Sequence, residues 1–459
     1  MECEVPMTIA LSFLVFGFLI SVLTTPWVIR IAHQGIGMDA PTEGRKKQEK
    51  PVPRLGGMPI MLALSLALIL ILFQEQNKAS DWFPILVGSA LMYALGLCDD
   101  IKPIGAKKKL IGQIAIASLV YSLGLTIDKF SIPQIGQIDL GGWSAPVTIF
   151  WLIAIPNIVN LIDGFDGLAG GLGLFMALTM GIVGYHSQHF ALTWFSFTLA
   201  GALLGFLVYN FPPAKIYLGD GGAYLIGFVI GALSISSAHK GSVAAGLVVT
   251  VVGLGLPILD TSFALLRRAF RGFPLFHADD DHFHHRLERL GFSKGRILLG
   301  LYSICAVLSV IGLMVVWNQD PTIPLVVGLG VFFLLAMAVI RHFHRVKTWG
   351  DAHKKVARVL SRRAENRYAL LQAKVLVIEM ERCDSAEEFW AVFNDTMRRV
   401  GFVEEGEVLD EIRIEIKHNG AKPWVLHAPR REGTAIEWKR IAEVFRPVFV
   451  SAIDKWKRN

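Results

Sequence analysis

Eleven apolar runs of roughly membrane-spanning length dominate the sequence. They lie near 7–31, 57–73, 83–98, 110–127, 147–162, 167–185, 190–209, 221–238, 243–263, 297–317 and 322–340. A helix needs about 20 mainly apolar residues to cross a bilayer, and closed barrels are the only other structures that satisfy every backbone hydrogen bond there. With 53% hydrophobic residues and a mean hydropathy of +0.49, the chain is predicted to be an all-α polytopic membrane protein of about eleven transmembrane helices.

The basic residues between the runs predict the orientation. Loops after odd-numbered helices carry most of them, including Lys107, Lys108 and Arg268, whereas loops after even-numbered helices carry Lys78, Lys129 and Lys240. The positive-inside rule therefore places the odd loops and the C-terminus in the cytoplasm and the N-terminus outside. Because the first run is of spanning length and follows Glu2 and Glu4, we expect it to remain as the first helix rather than to be cleaved.

The composition changes abruptly after residue 340. Residues 1–340 are predicted to form the transmembrane domain, and 341–374 a basic juxtamembrane segment suited to anionic headgroups. Residues 375–459 are predicted to form a small cytoplasmic α+β domain, with helices at 385–400 and 434–457 and strands at 411–417 and 424–427. This tail carries no pattern typical of a catalytic site.

A series of polar residues ends the fifth run, in PNIVNLIDGFDGLAGG. Asn157, Asn160, Asp163 and Asp166 recur every three residues, so we expect them to share one helix face. Charged groups are costly at the bilayer centre, which places them at a water-facing boundary, where they would hold a cation or a substrate. The alternative is an ordinary Asp-Gly turn with a helix cap.

Two further acidic motifs lie on the same predicted face of the membrane. Asp99 and Asp100 are adjacent in GLCDDIKPIGAKKKL, which suits a base or a metal site; the alternative is an interfacial acidic cap balanced by nearby lysines. Asp220 lies before two glycines in LGDGGAY, where the backbone could approach a phosphate or an ion closely. A plain helix N-cap is the competing interpretation.

A histidine-rich cluster follows the ninth run, in DDDHFHHRL. It contains His282, His284, His285 and Arg286. A zinc site is disfavoured because the stretch has no HExxH motif, and we favour phosphate recognition by arginine and imidazolium donors. Together with the carboxylates and a membrane groove, the cluster indicates Mg²⁺-assisted phosphoryl chemistry between a soluble nucleotide donor and a lipid phosphate.

These motifs, with PRLGG at 53–57, occur in the order found in the polyprenyl-phosphate N-acetylhexosamine-1-phosphate transferases, and the chain resembles that family over about residues 7–340. The resemblance implies an integral membrane enzyme of ten or eleven helices that requires Mg²⁺ or Mn²⁺. It further implies transfer of a sugar 1-phosphate from a UDP-N-acetylhexosamine to a polyprenyl phosphate, with release of UMP.

The resemblance also implies roles for individual residues. Asn160 and Asp220 look like the metal-binding pair, and Asp99 and Asp100 like the acids that act on the lipid phosphate. The other implied roles are catalysis and nucleotide placement for Asp163 and Asp166, contact with the donor diphosphate for Lys109, substrate binding for Asn157, and a clamp on the donor phosphates for His282, His284, His285 and Arg286.

The HxHHR arrangement resembles the enzymes that use UDP-GlcNAc and undecaprenyl phosphate more than it resembles the muramoyl-pentapeptide transferases of peptidoglycan synthesis. We therefore expect GlcNAc 1-phosphate transfer at the bacterial cytoplasmic membrane, with the bilayer as a partner and no nucleic acid; a homodimer is left open. The muramoyl-pentapeptide reaction is the alternative within the family. Outside it, the alternatives are a secondary transporter, which would place such acids near the midplane of repeated halves, and a catalytically silent scaffold.

Overall fold

The protein is described here from a computed structural model. The structure describes residues 7–35, 37–39, 51–74, 79–132, 136–238, 243–255, 257–262, 268, 287–288, 291–317, 326–328, 330, 333–334, 363–403, 407, 411–416, 424–429 and 435–456. These residues are mostly helical and belong to two compact units. The larger unit carries the apolar helices and the smaller one contains the C-terminal elements.

Ten helices of the larger unit have both ends within the described residues. They are α1 (Met7–Ala32), α2 (Gly57–Gln74), α3 (Ala79–Ile101), α4 (Ala106–Ser122), α5 (Ser144–Ile162), α6 (Leu168–His186), α7 (Phe190–Asn210), α8 (Gly219–Ala238), α9 (Val243–Gly253) and α10 (Lys294–Trp317). Two short antiparallel hairpins accompany them. One pairs β1 (Met38–Asp39) with β2 (Val52–Pro53), and the other pairs β3 (Lys129–Ile132) with β4 (Gly136–Asp139).

Seven helices in the described part of the chain are long and apolar enough to cross a membrane: α1, α3, α5, α6, α7, α8 and α10. They correspond to seven of the predicted runs. The run at 57–73 forms the shorter helix α2, and the run at 110–127 forms a helix that begins earlier, at Ala106, and ends at Ser122. Because most of 322–340 lies outside the described residues, the total of eleven spans stays a prediction.

Helices α7 and α8 are the most deeply buried of these spans. Helix α8 packs against α3, α5 and α9, and α7 packs against α1 and α6. At Gly201 of α7 the backbone of α1 lies so close that an added Cβ would overlap the carbonyl group of Leu14. Small residues permit such close approach between membrane helices. In contrast, α1 exposes Leu11, Val15 and Leu19 on its outer face, as expected of a surface that lipid chains cover.

The smaller unit contains three helices and one sheet among its described residues. They are α11 (Arg363–Arg382), α12 (Ala386–Val400) and α13 (Ala435–Trp456), with β5 (Glu411–Ile416) antiparallel to β6 (Trp424–Pro429). Phe389, Phe393 and Phe445 are fully buried in its core. The helices and strands predicted for the tail are therefore present. Residues 341–362 lie outside the described part, so the domain boundaries at 340 and 374 stay predictions.

Helix α12 begins with a side-chain cap that can be tested. Ser385 Oγ accepts a hydrogen bond from the backbone N–H of Glu388 at 3.2 Å. Replacing a serine cap by alanine costs about 1 kcal/mol, so S385A should speed amide hydrogen exchange in α12 by roughly fivefold. S385D, which keeps the acceptor, is the matched control and should exchange at the parent rate; equal rates in all three proteins would contradict this role.

Candidate active site

Several of the sequence motifs meet at the start of α8. The backbone N–H of Tyr217 donates to Pro53 O at 2.8 Å, and the N–H groups of Gly56 and Gly57 donate to Tyr217 O and Leu218 O at 2.9 and 3.1 Å. The PRLGG segment is thereby joined to the residues just before Asp220. This pairing holds the first turn of α8 beside the first turn of α2.

Asp100, in the last turn of α3, caps this end of α8. Its two carboxylate oxygens accept from the backbone N–H groups of Asp220 at 3.0 Å and Gly221 at 2.9 Å. A carboxylate is well placed there because the first N–H groups of a helix lack partners and its N-terminus is partially positive. Gly96 makes the approach possible, since a Cβ on it would lie 2.5 Å from the backbone of Asp220.

Lys109 joins two further carboxylates. Its Nζ lies 3.0 Å from Asp99 Oδ2 and 2.7 Å from Asp220 Oδ2. The other oxygen of Asp99 accepts from the backbone N–H of Ile104 at 2.9 Å, which holds the turn between α3 and α4. Burial by itself would lower the pKa of Lys109, but the hydrogen bonds and negative charges of Asp220 and Asp99 outweigh it and raise that pKa. The lysine therefore remains a cation between the two acids.

Asn160 brings α5 to the same carboxylate. Its Nδ2 donates to Asp220 Oδ1 at 2.9 Å, so each oxygen of Asp220 has one side-chain partner. The residues that the resemblance paired as metal ligands are thus in direct contact. Asn157, one turn earlier, donates instead to Gln113 Oε1 of α4 and to the carbonyl of Ile153, both at 2.8 Å.

The prediction that one helix face carries all four polar residues of this series is wrong. Helix α5 ends at Ile162, Asp163 follows as its C-cap, and Asp166 lies in the turn before α6. The Asp163-Gly164 turn signal, which was the competing interpretation, ends the helix at that point. The series therefore divides between the last turn of α5 and the loop that follows it.

The loop places its two acids in different surroundings. Burial raises the pKa of Asp163 well above its usual value, and the negative charges of Asp220 and Asp100 raise it further, against the opposing charge of Arg54. Asp166 instead faces the backbone N–H of Ala214 at 3.4 Å and Nζ of Lys294, at the start of α10, at 3.7 Å. Asp163 therefore belongs electrostatically to the Asp220 group, and Asp166 interacts with the neighbouring loop and α10.

Two residues that the sequence analysis did not single out hold this loop in place. Asn210 Oδ1 accepts from the N–H of Gly167 at 2.9 Å, while its Nδ2 donates to Ile216 O at 2.8 Å. Tyr302 of α10 donates its hydroxyl hydrogen to Gly167 O at 2.6 Å. A buried asparagine at the end of an apolar run could have indicated Asn210, but no local pattern distinguishes Tyr302.

His282, His284, His285 and Arg286, the predicted clamp on the donor phosphates, lie outside the described residues. The site that the structure describes is therefore the cluster of Asp99, Asp100, Asp163, Asp220, Asn160 and Lys109, with Asp166 beside it.

The cluster fits a magnesium ion by the chemistry of its donors. Carboxylate and amide oxygens are the ligands that Mg²⁺ takes from proteins, and it commonly uses only one or two carboxylates, with water and substrate phosphates completing the coordination. Within the described residues no three His, Cys, Asp or Glu side chains are placed so that they could hold a metal ion by themselves, which is compatible with an ion bound only partly by the protein. Asp220 and Asp163 supply carboxylates, and Asn160 can present its amide oxygen by turning the side chain about its last torsion.

Comparisons with known proteins identify the family to which this sequence is similar. The sequence model of glycosyl transferase family 4 matches residues 82–238, which include all the described cluster. A probable undecaprenyl-phosphate N-acetylglucosaminyl 1-phosphate transferase of Bacillus subtilis is 34% identical over 65% of this chain and 83% of its own length. A decaprenyl-phosphate N-acetylglucosaminephosphotransferase of Mycolicibacterium smegmatis is 30% identical over 70% of this chain and 86% of its own.

The phospho-N-acetylmuramoyl-pentapeptide-transferase of Levilactobacillus brevis is 31% identical over 65% of this chain and 96% of its own length. Each of these three relatives is thus similar to this chain along most of its own length. The chain therefore belongs to glycosyl transferase family 4 and is a transferase of the polyprenyl-phosphate N-acetylhexosamine-1-phosphate type.

Proposed function

We propose that this protein transfers GlcNAc 1-phosphate from UDP-GlcNAc to undecaprenyl phosphate and releases UMP, the first step in building a cell-envelope polysaccharide. The observation that carries the proposal is the contact of Asp220 with both Lys109 and Asn160 at the start of α8, because it assembles carboxylates, an amide and a cation from three helices. The relatives named for undecaprenyl- and decaprenyl-phosphate GlcNAc transfer support the choice of substrates.

The proposed setting is the bacterial cytoplasmic membrane, crossed by eleven helices, with the N-terminus outside and the C-terminus in the cytoplasm. The concentration of basic residues in the odd-numbered loops supports that orientation. The partners are the UDP-sugar, the polyprenyl phosphate and the bilayer. The N-terminal 340 residues would form the transferase domain and residues 375–459 an accessory domain.

Asp220, Asn160 and Asp163 are the residues that would hold Mg²⁺, or Mn²⁺ in its place. When bound, the divalent cation would neutralise part of the negative charge on the donor's diphosphate. Lys109 adds a fixed positive charge beside Asp220 and is suited to the same diphosphate. The clamp predicted at His282, His284, His285 and Arg286 would contact the donor phosphates, and Asp166 and Asn157 would help to place the substrates.

The two adjacent acids divide their work in this proposal. Asp100 uses both oxygens to hold the first N–H groups of α8, so it positions Asp220. One oxygen of Asp99 accepts from the backbone N–H of Ile104, and the other accepts from Lys109 Nζ. In this proposal Asp99 orients the acceptor phosphate or accepts a residual proton from it. An oxygen of that phosphate attacks the donor's β-phosphorus as the bond to UMP breaks, and no covalent enzyme intermediate is needed.

The alternative donor is UDP-MurNAc-pentapeptide. It is favoured by the similarity to the Levilactobacillus brevis enzyme over nearly all of that protein's length. The transferred group and the acceptor chemistry would be of the same kind, so the acidic cluster does not separate the two reactions.

Donor choice is tested by UMP release from the purified full chain with Mg²⁺ and undecaprenyl phosphate. UDP-GlcNAc should support turnover that depends on the lipid, whereas UDP-MurNAc-pentapeptide should give none above background. Turnover of the peptide-bearing donor alone would assign the protein to the other branch, and no turnover with any UDP-sugar would contradict the proposed function.

The division between Asp99 and Asp220 predicts different defects in their asparagine variants. D220N removes a carboxylate from the proposed ion, so Mn²⁺ affinity, measured by electron paramagnetic resonance, should fall by at least about tenfold together with transfer. D99N should keep Mn²⁺ and donor affinity within about twofold and lose most of its transfer rate. Equal loss of Mn²⁺ binding in both variants would contradict this division.

The D100N variant should show a different combination of defects from D99N and D220N. In D100N one oxygen is replaced by an NH₂ group that faces a backbone N–H donor, Gly221 or Asp220, so the start of α8 loses one acceptor. Mn²⁺ affinity should therefore fall although Asp100 is not a proposed ligand, and amide hydrogen exchange in the first turn of α8 should rise. Parent-like exchange together with lost transfer would instead indicate that Asp100 contacts the substrate.

Tyr302 should act through the loop that it holds. Removing its hydroxyl in Y302F costs about 0.5–1.5 kcal/mol of hydrogen bonding to Gly167, so we expect kcat to fall roughly two- to tenfold. Y121F, at the end of α4 away from Lys109, is the matched control and should retain the parent kcat. A parent-like kcat in Y302F would show that the loop does not depend on this bond.

A further inference from the structure

Helix α11 of the smaller unit has two different apolar faces. On one face, Ala369, Ala373 and Leu376 are buried in the core that α11 shares with α12 and α13. The opposite face is the α11 stripe, which we define as Tyr368, Leu371, Val375 and Ile378. These four side chains are 42%, 60%, 46% and 59% exposed, respectively. Four large apolar groups in a row are a larger exposed surface than scattered single residues.

The spacing of the stripe is that of a coiled-coil seam. Its members follow one another after three, four and three residues, an average close to the 3.5-residue repeat with which two helices pack side chains into each other. The matching surface is another helix with the same repeat. The stripe occupies the a and d positions, with Tyr368 and Val375 at a and Leu371 and Ile378 at d.

The flanking charges indicate which helix that is. In a parallel pair, position g of one helix faces position e of the next repeat on the other, so Lys374 of one copy would face Glu379 of the second. In an antiparallel pair, Lys374 would face Lys374 and Glu365 would face Glu379, and these repulsive pairs outnumber the attractive ones between Arg367 and Glu381. Within its own helix Glu379 pairs with Arg382 at 3.2 Å, an exposed contact that contributes little and can exchange. The charges therefore favour a parallel second copy of α11.

A lipid surface suits the stripe less well. Helices that lie on anionic membranes carry mainly Lys and Arg beside the apolar face, whereas Glu379 and Glu381 accompany the C-terminal half of this one. Lipid is nevertheless a distinct outcome of the experiment below.

We propose that two copies of the protein associate through their α11 stripes as a parallel helix pair. Four a/d layers would be too few to hold two isolated peptides together. Here the helix is already formed by packing against α12 and α13, and confinement of both copies to one membrane raises their effective concentration. The pairing goes beyond the proposed transfer reaction and does not depend on it.

The test uses the full chain in liposomes of phosphatidylethanolamine and phosphatidylglycerol, with the four native cysteines replaced by alanine. L371C places a thiol at a d position, where two copies of a parallel pair meet. It should form an intermolecular disulfide under mild oxidation at least about tenfold faster than E387C, an exposed control site on α12. Thermal unfolding measured on each variant verifies that the smaller unit remains folded.

Charge exchange makes the test specific for a parallel second copy. K374E and E379K, each in the L371C protein, turn two attractive pairs into repulsive ones, so each should slow the crosslink by about tenfold. Mixing differently tagged K374E and E379K proteins restores opposite charges across the pair and should restore rapid crosslinking between the two tags.

Three results would overturn the proposal. The first is crosslinking at position 371 no faster than at 387, and the second is a failure of the mixed charge variants to recover. The third is the absence of a crosslink while the thiol at 371 is protected from a water-soluble maleimide in liposomes but not in detergent. That last result would assign the stripe to the lipid surface.

Discussion

The ion pairs and hydrogen bonds around Asp220 are the interaction on which the active site depends. One carboxylate at the first turn of α8 contacts Lys109 of α4 and Asn160 of α5, while Asp100 of α3 holds the backbone beneath it. Helix α8 is nearly completely buried, so this end is fixed by the rest of the membrane unit. The cost of placing several acids together is offset by the charges of Lys109 and Arg54 and by backbone N–H groups at a partially positive helix end.

This arrangement is the basis for the unequal tasks that we propose for the acids. Both oxygens of Asp100 accept from backbone N–H groups at the start of α8. The oxygens of Asp220 instead contact the side chains of Lys109 and Asn160, which a bound cation would displace in the proposed function. Asp163 is the acid whose charged form the surroundings disfavour most clearly, because burial and two neighbouring carboxylates raise its pKa. A divalent cation bound near it would reverse that balance. The loop between α5 and α6, held by Asn210 and Tyr302, determines where Asp163 and Asp166 can lie.

Much of the helical framework could be predicted because membrane spans are encoded locally in apolar runs. The acidic motifs could be identified from the sequence as candidate site residues. The resemblance paired Asn160 with Asp220, and in the structure Asn160 Nδ2 lies 2.9 Å from Asp220 Oδ1. The fifth apolar run was predicted to end at 162, where α5 does end, but the single helix face expected for all four polar residues was wrong, because the three-residue period was given more weight than the Asp163-Gly164 turn. The capping by Asp100 and the bond from Tyr302 to Gly167 join residues 120 and 135 positions apart, and no local pattern in a single sequence encodes such a pairing.

The most direct measurement is a crystal structure of the full chain with Mn²⁺ and UDP-GlcNAc, recorded at the manganese absorption edge. The proposed function predicts an anomalous peak within about 2.0–2.3 Å of an Asp220 oxygen, with the donor diphosphate on the same ion and Asp100 still capping α8. A manganese peak elsewhere, with the donor bound and Asp220 held only by Lys109 and Asn160, would contradict the assignment of this cluster as the catalytic centre.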